Sequence, residues 1–135
     1  MKKRFIILID FSEYSGNLLK YAYDWSKQVN AELLLVHQTI VLAPGFSDYE
    51  SRKSIAEHGN DEALQKLKAL VKELIPPSVK VSYFVSESNL QLTLPKLLAE
   101  PYENLIFVGL KGTGLLKKIF LGSVALQVIE NTKTL

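Results

Sequence analysis

Cysteine is absent from the 135 residues, which removes disulfide staples, thiolate nucleophiles and cysteine-ligated zinc together. Two histidines without cysteine are a poor donor set for zinc, so no metal site is expected. A charge of one sign is also lacking. Sixteen lysines and arginines face fourteen acids, and the net +2 is too small to argue for nucleic acid or an anionic membrane as partner. No stretch approaches the roughly 18 apolar residues of a membrane span. The start, Met1-Lys-Lys-Arg4 followed by Phe5–Ile9, imitates a secretory leader. Its apolar run is shorter than the roughly 7–15 residues of a leader's core, and it ends on Asp10 without a small-residue cleavage site. A reducing, cytoplasmic compartment fits this set of absences.

What remains is an ordinary globular composition, 47% hydrophobic and 22% charged, at a length that suits one domain over residues 1–135. Phe5-Ile-Ile-Leu-Ile9 is short, continuous and rich in β-branched residues, as expected of a strand buried on both faces. Tyr14–Asn30 carries Leu18, Ala22, Trp25 and Val29 at helical spacing. Leu33–Val36 reads as a second buried strand that His37-Gln38 terminates. Thr39–Tyr49, with Pro44-Gly45, reads as a loop long enough to suggest a lid or binding role. Asp61–Leu74 is a second amphipathic helix, with an alternative start near Tyr49, and Pro76-Pro77 ends it.

Val79, Val81 and Tyr83 alternate with polar residues, which predicts a half-exposed strand at a sheet edge. Leu90–Ala99 is a weaker helix whose first turn Pro95 should delay or distort. Leu105–Val108 is a fourth strand, Gly109–Leu121 a loop, and Ser123–Asn131 a last helix. Strands separated by crossover helices imply parallel pairing and right-handed connections. The fold class is therefore α/β, a three-layer doubly wound parallel sheet. A fifth strand would follow the last helix. The sequence reaches Lys133-Thr134-Leu135 where that strand should begin, which reads as a domain lacking its C-terminal strand.

Chemistry concentrates in Gly109-Leu-Lys-Gly112-Thr-Gly114 and in Gly122-Ser123. The spacing fits neither G-x-x-x-x-G-K-[ST] nor G-x-G-x-x-G. The physical logic is shared with both. Glycines at a strand's carboxyl end let backbone N–H groups approach a phosphate, and a Gly-Ser helix start adds N–H donors and a positive dipole end. The bland alternative is a glycine-rich turn that only redirects the chain. Lys117-Lys118 fits either a solvated face or an attractor of phosphate.

Gly109-x2-Gly112-x9-Gly122-Ser123 resembles the nucleotide-binding motif G-x2-G-x9-G-[ST] of the universal stress protein family. Ile7-Leu-Ile-Asp10-Phe-Ser12-Glu-Tyr-Ser15 looks like that family's first strand and turn, and Glu32-Leu-Leu-Leu-Val36-His37 like its second strand. The resemblance implies strand order 3-2-1-4-5, reduced here to 3-2-1-4, with a ligand crevice between strands 1 and 4. It implies that Asp10 lies near adenine and ribose, and that the Gln38 backbone meets the adenine edge. Gly109 would flank the ribose side. Gly112 and Gly122 would approach the phosphates, and Ser123 would donate to them. The implied ligand is ATP, or ADP or AMP, with Mg2+ as an optional companion. The implied assembly is a homodimer or a tandem-domain pair.

Single residues carry competing readings. Asp10 is either a ligand contact or a carboxylate that orders the turn into the first helix. His37 reads as a rim residue of strand 2 rather than a general base, His58 as solvated, and Trp25 as core. No Walker lysine, paired acidic metal site or identifiable base supports an enzyme, so no catalytic residue is named. The leading reading is a regulatory adenine-nucleotide-binding module of the stress response. The alternative is a protein-interaction or dimerisation domain with a vestigial pocket.

Overall fold

The computed structural model describes residues 2–40, 48–109 and 119–122. The element order is β1 (Lys2–Leu8), α1 (Ser15–Val29), β2 (Glu32–Gln38), α2 (Tyr49–Leu74), β3 (Val81–Ser86), α3 (Leu90–Leu98), β4 (Tyr102–Gly109) and β5 (Ile119–Gly122). The first four strands are parallel in the order β3-β2-β1-β4, as expected from the crossover pattern. β1 lies between β2 and β4, with Leu8 opposite Val36 on one side and Val108 on the other.

Period-two alternation divides the core between the two faces of the sheet. Phe5, Ile7, Leu33, Leu35 and Phe107 point to the face that α1 and α2 cover with Leu18, Leu19, Ala22 and Leu67. Ile6, Leu34, Val36 and Ile106 point to the opposite face, against Leu94 and Leu97 of α3. Trp25 packs edge-on to Phe5 and Phe107, at 5.6 and 5.7 Å between ring centroids, so the core assignment holds.

Three expectations change. The fourth strand begins at Tyr102, three residues before its apolar block, because β1 offers a complete edge from Lys2 onward. The helix containing Pro95 is not delayed. It starts at Leu90, where the Asn89 side chain caps it by accepting from Gln91 N at 2.7 Å. A good cap together with burial of Leu94 and Leu97 outweighs the single N–H that Pro95 lacks. Part of the expected loop Gly109–Leu121 is a strand. Ile119–Gly122 pairs antiparallel with β4, Ile119 opposite Gly109 and Gly122 opposite Ile106. The apolar sequence Ile-Phe-Leu suits a strand, and pairing occupies the edge that β4 would otherwise expose. The expected last helix, Ser123–Asn131, lies outside the described residues.

Two devices fix the ends of elements. Arg4 is 7% exposed and ties β1 to the end of α3 and to β4. Its Nε donates to Asn104 Oδ1 at 2.9 Å, Nη1 to Glu100 Oε1 at 2.9 Å and Nη2 to the Leu97 carbonyl at 2.8 Å. The guanidinium also stacks 4.2 Å from the Tyr102 ring centroid. At α2, Asp48 is the N-cap and accepts from Ser51 N at 2.7 Å. That backbone bond, with a smaller side-chain contribution from Ser51, holds the Asp48 carboxyl below its ordinary value.

Two tests follow from these contacts. Arg4→Met should cost about 2–3 kcal/mol by urea unfolding, since it leaves the Leu97 carbonyl without its charged donor. Lys27→Ala, which breaks the exposed 3.6 Å pair with Asp24 and a 4.6 Å contact of the ammonium with the Tyr23 ring, should stay within about 1 kcal/mol. For Asp48, a carboxyl lowered in the folded state stabilises above its unfolded value and loses that contribution as pH falls through the folded value. The stability advantage of the natural chain over Asp48→Asn should therefore be full above about pH 4 and disappear on further acidification, as read by circular dichroism.

Candidate functional site

Chain reversal places the site. From β1 the connections leave in opposite directions, toward β2 and β3 on one side and β4 on the other, so a crevice opens at the strands' carboxyl ends. A cavity of about 580 Å3 occupies that position. Its floor is Leu8, Ile9, Val36 and Val108 from the ends of β1, β2 and β4. Its walls come from Asp10 and Phe11 after β1, from His37 to Ile40 at the exit of β2, and from one face of α2.

The turn after β1 is built around Asp10. Its Oδ1 accepts from Ser12 N at 2.9 Å and from Ser15 Oγ at 3.2 Å, at the start of α1. A carboxylate there also opposes the positive end of the helix dipole. The turn forces Phe11 into the left-handed region, φ 59°, which a bulky side chain rarely adopts. In return the Phe11 ring sits against His37, centroids 4.6 Å apart, and the Lys66 ammonium lies 5.6 Å from that ring. His37 Nδ1 is 2.7 Å from the Ile9 carbonyl oxygen. A carbonyl only accepts, so Nδ1 carries the proton.

Gln38 is bound through its side chain: Oε1 accepts from Leu90 N at 3.2 Å, joining the end of β2 to the first turn of α3. The next residue, Thr39, is fixed to β3 through its N–H to the Ser86 carbonyl at 2.8 Å.

α2 supplies a wall because it is longer than the sheet beneath it. Its 26 residues span about 39 Å, against about 23 Å for a seven-residue strand. Where it lies over the sheet, its inward positions are large: Leu67, Leu70, Val71 and Leu74. Nearer its N-terminus the inward positions become Ala63, Gly59 and Ala56. Of these, Gly59 and Ala63 line the cavity and leave it its width. A Cβ on Gly59 would come 3.0 Å from the Thr39 methyl group, so even alanine crowds this point. Glu62 and Lys66, one turn apart, also line the cavity, and Glu62 is paired with His58 at 2.8 Å on the exposed side.

Of the residues that sequence assigned to a ligand, Asp10 and Gln38 line one cavity. Gly109 ends β4, one residue beyond the Leu8–Val108 pair, so its backbone stands at the same end of the sheet. Gly122 is not brought there: it pairs opposite Ile106, three residues back along β4. Gly112 and Ser123 lie outside the described residues, as do Lys111 and Lys117-Lys118. The α2 wall was missed by sequence reading. Its signal is the change of the apolar stripe from leucine and valine to glycine and alanine within one uninterrupted helix.

Comparison with known proteins gives one consistent result. The family model described as the universal stress protein family matches residues 1–134. A universal stress protein from Methanocaldococcus jannaschii is 27% identical over 133 residues, spanning 96% of this chain and 76% of that one. Among solved structures, the universal stress protein UspA from Lactobacillus plantarum superposes with TM-score 0.55 at 15% identity, over 97% of this chain and 93% of its own. A universal stress protein family member from Burkholderia pseudomallei gives 0.53 at 17% identity, over 96% and 89%. These two establish likeness of fold.

The turn itself can be tested. Asp10→Ala removes the acceptor for Ser12 N and Ser15 Oγ and should cost about 1 kcal/mol in denaturant unfolding. Asp10→Asn keeps an acceptor oxygen and should lose less than half as much. Equal losses would show that charge at the α1 terminus, not the hydrogen bonds, is what matters.

Proposed function

The chain belongs to the universal stress protein family, which implies a role in stress response, and from that premise we propose that it acts as a regulatory module binding ATP or a related adenine nucleotide. The observation that carries the reading is the cavity at the switch point of the sheet, bounded by Asp10 after β1 and by His37–Ile40 at the end of β2. Its volume of about 580 Å3 falls within the range of small-molecule sites. Its floor is aliphatic and its rim polar, which suits a heterocyclic base joined to a sugar. Gly109 ends the neighbouring strand, and the spacing Gly109-x2-Gly112-x9-Gly122-Ser123 supplies the residue types that a phosphate chain requires.

In this reading Asp10 faces the ribose, the backbone after β2 meets the base, and the glycine segment with Ser123 holds the phosphates. Mg2+ arrives with the phosphates. No residue is assigned a catalytic role, and occupancy rather than turnover is the signal. We place the module in the cytoplasm, working as a homodimer or beside a tandem partner. Among the described residues no helix is long and apolar enough to cross a membrane.

One observation favours a second reading, a protein-interaction domain with a vestigial site. Pairing of Ile119–Gly122 with β4 puts Gly122 about 10 Å from the carboxyl end of that strand. A thermal titration separates the two. If ATP binds, the melting temperature rises with its concentration, with stabilisation reaching about 2.7 kcal/mol at a hundred times the dissociation constant. A melting temperature that stays flat to millimolar ATP would leave the interaction domain as the better account.

A further inference from the structure

Resting on the nucleotide reading above, we infer that the His37 side chain selects the base: its Nε2 accepts a hydrogen bond from the exocyclic amine of a 6-aminopurine and disfavours a 6-oxopurine. Three observations meet in this residue. His37 lines the cavity at the exit of β2. Its Nδ1 proton is committed to the Ile9 carbonyl at 2.7 Å, which fixes the tautomer, so the neutral ring presents Nε2 as a lone-pair acceptor. No described residue hydrogen-bonds that second nitrogen. The ring is held in place from the side by Phe11, whose left-handed backbone is a strained arrangement kept by the Asp10 turn. Strain of this kind is retained where the surrounding structure needs a side chain in one position. Here it keeps an aromatic ring against the imidazole and fixes the direction of its acceptor.

The chemistry of discrimination is simple. An amine at purine position 6 offers an N–H to Nε2. A carbonyl at the same position sets two acceptors against each other in a site from which water is partly excluded, so neither is satisfied. Gly59 and Ala63 of α2 line the same cavity and are small enough to leave room for a planar ring, and Glu62 and Lys66 of that helix line it too. His37 would thus be a specificity residue, separate from the groups proposed for ribose and phosphate.

The test is calorimetric titration of ATP, inosine triphosphate and purine riboside triphosphate: purine riboside differs from adenosine only in lacking the 6-amine, while inosine has a carbonyl at position 6 and a proton on N1. The natural chain should bind ATP about tenfold or more tightly than the other two. His37→Asn keeps a donor where Nδ1 lies, so the contact with Ile9 survives, but it lacks the second nitrogen. It should bind ATP as weakly as the natural chain binds purine riboside triphosphate, with inosine triphosphate affinity unchanged or improved and the melting temperature little altered. Equal affinity of the natural chain for all three ligands overturns the inference while leaving the nucleotide site standing, and so does an undiminished ATP preference in His37→Asn. Failure of the natural chain to bind any of the three overturns the nucleotide reading, and the base preference with it. Should His37→Asn not fold, His37→Ser takes its place: it too lacks the second nitrogen, and an undiminished preference for ATP over purine riboside triphosphate in that variant overturns the inference.

Discussion

β1 is hydrogen-bonded along both edges and covered on both faces, and every other element takes its place from that strand. Phe5, Ile6 and Ile7 are at most 4% exposed, and they alternate between two separate apolar clusters. A strand in this position tolerates no slip, since moving by one residue would exchange the side chains of the two cores. Arg4 reinforces the register from one end. Its three hydrogen bonds reach α3, the segment after it and β4, all remote in sequence, so the guanidinium is satisfied in only one arrangement of the sheet. At the other end the chain leaves β1 through Ile9, whose N–H binds the Val36 carbonyl at 2.9 Å and whose own carbonyl takes the His37 proton.

The cavity is a consequence of that central strand. Because β1 is bracketed by strands whose helices lie on opposite faces, nothing in the sheet itself fills the space above its carboxyl end. What bounds the space is overhang: α2 continues past the sheet, and its small residues keep it from closing down. The turn at Asp10 accepts local strain at Phe11 so that an aromatic ring stands in the wall. One carboxylate thus does two jobs that sequence reading set against each other. Asp10 orders the turn into α1, and it lines the cavity as well.

Much of this was legible in the sequence, for identifiable reasons. Phe5–Ile9 and Leu33–Val36 are continuous apolar runs, and only a strand buried on both faces needs them. The half-polar alternation at Val81 and Tyr83 marked an edge, and β3 is one. What was not legible depended on contacts distant in sequence. Residues 102–104 are polar enough to look like a loop, and they become strand because β1 offers them partners. Ile119–Gly122 lies in a glycine-rich stretch that resembles a ligand loop, yet its apolar residues pair with β4. Gln38 carried a backbone role in the sequence argument, while its side chain turns out to bind Leu90 N of α3. The Gly59–Ala63 wall was missed because small residues on a helix are read as neutral unless something is known to lie opposite them.

Under the proposed reading the two ends of a nucleotide meet different kinds of structure. The base end is formed by β1, β2 and α2, which share one core through Ile7, Leu35 and Leu67, each 0% exposed. It is therefore as rigid as the sheet. The phosphate end depends on the segment after Gly109, of which Ile119–Gly122 is engaged with β4. Gly122 cannot pair opposite Ile106 and also stand at the carboxyl end of β4, some three residues away. Nucleotide phosphates and β5 would then compete for the same residues, while the base site needs no rearrangement. A ligand recognised first by its base and only afterwards by its phosphates would shift the edge of the sheet as it bound.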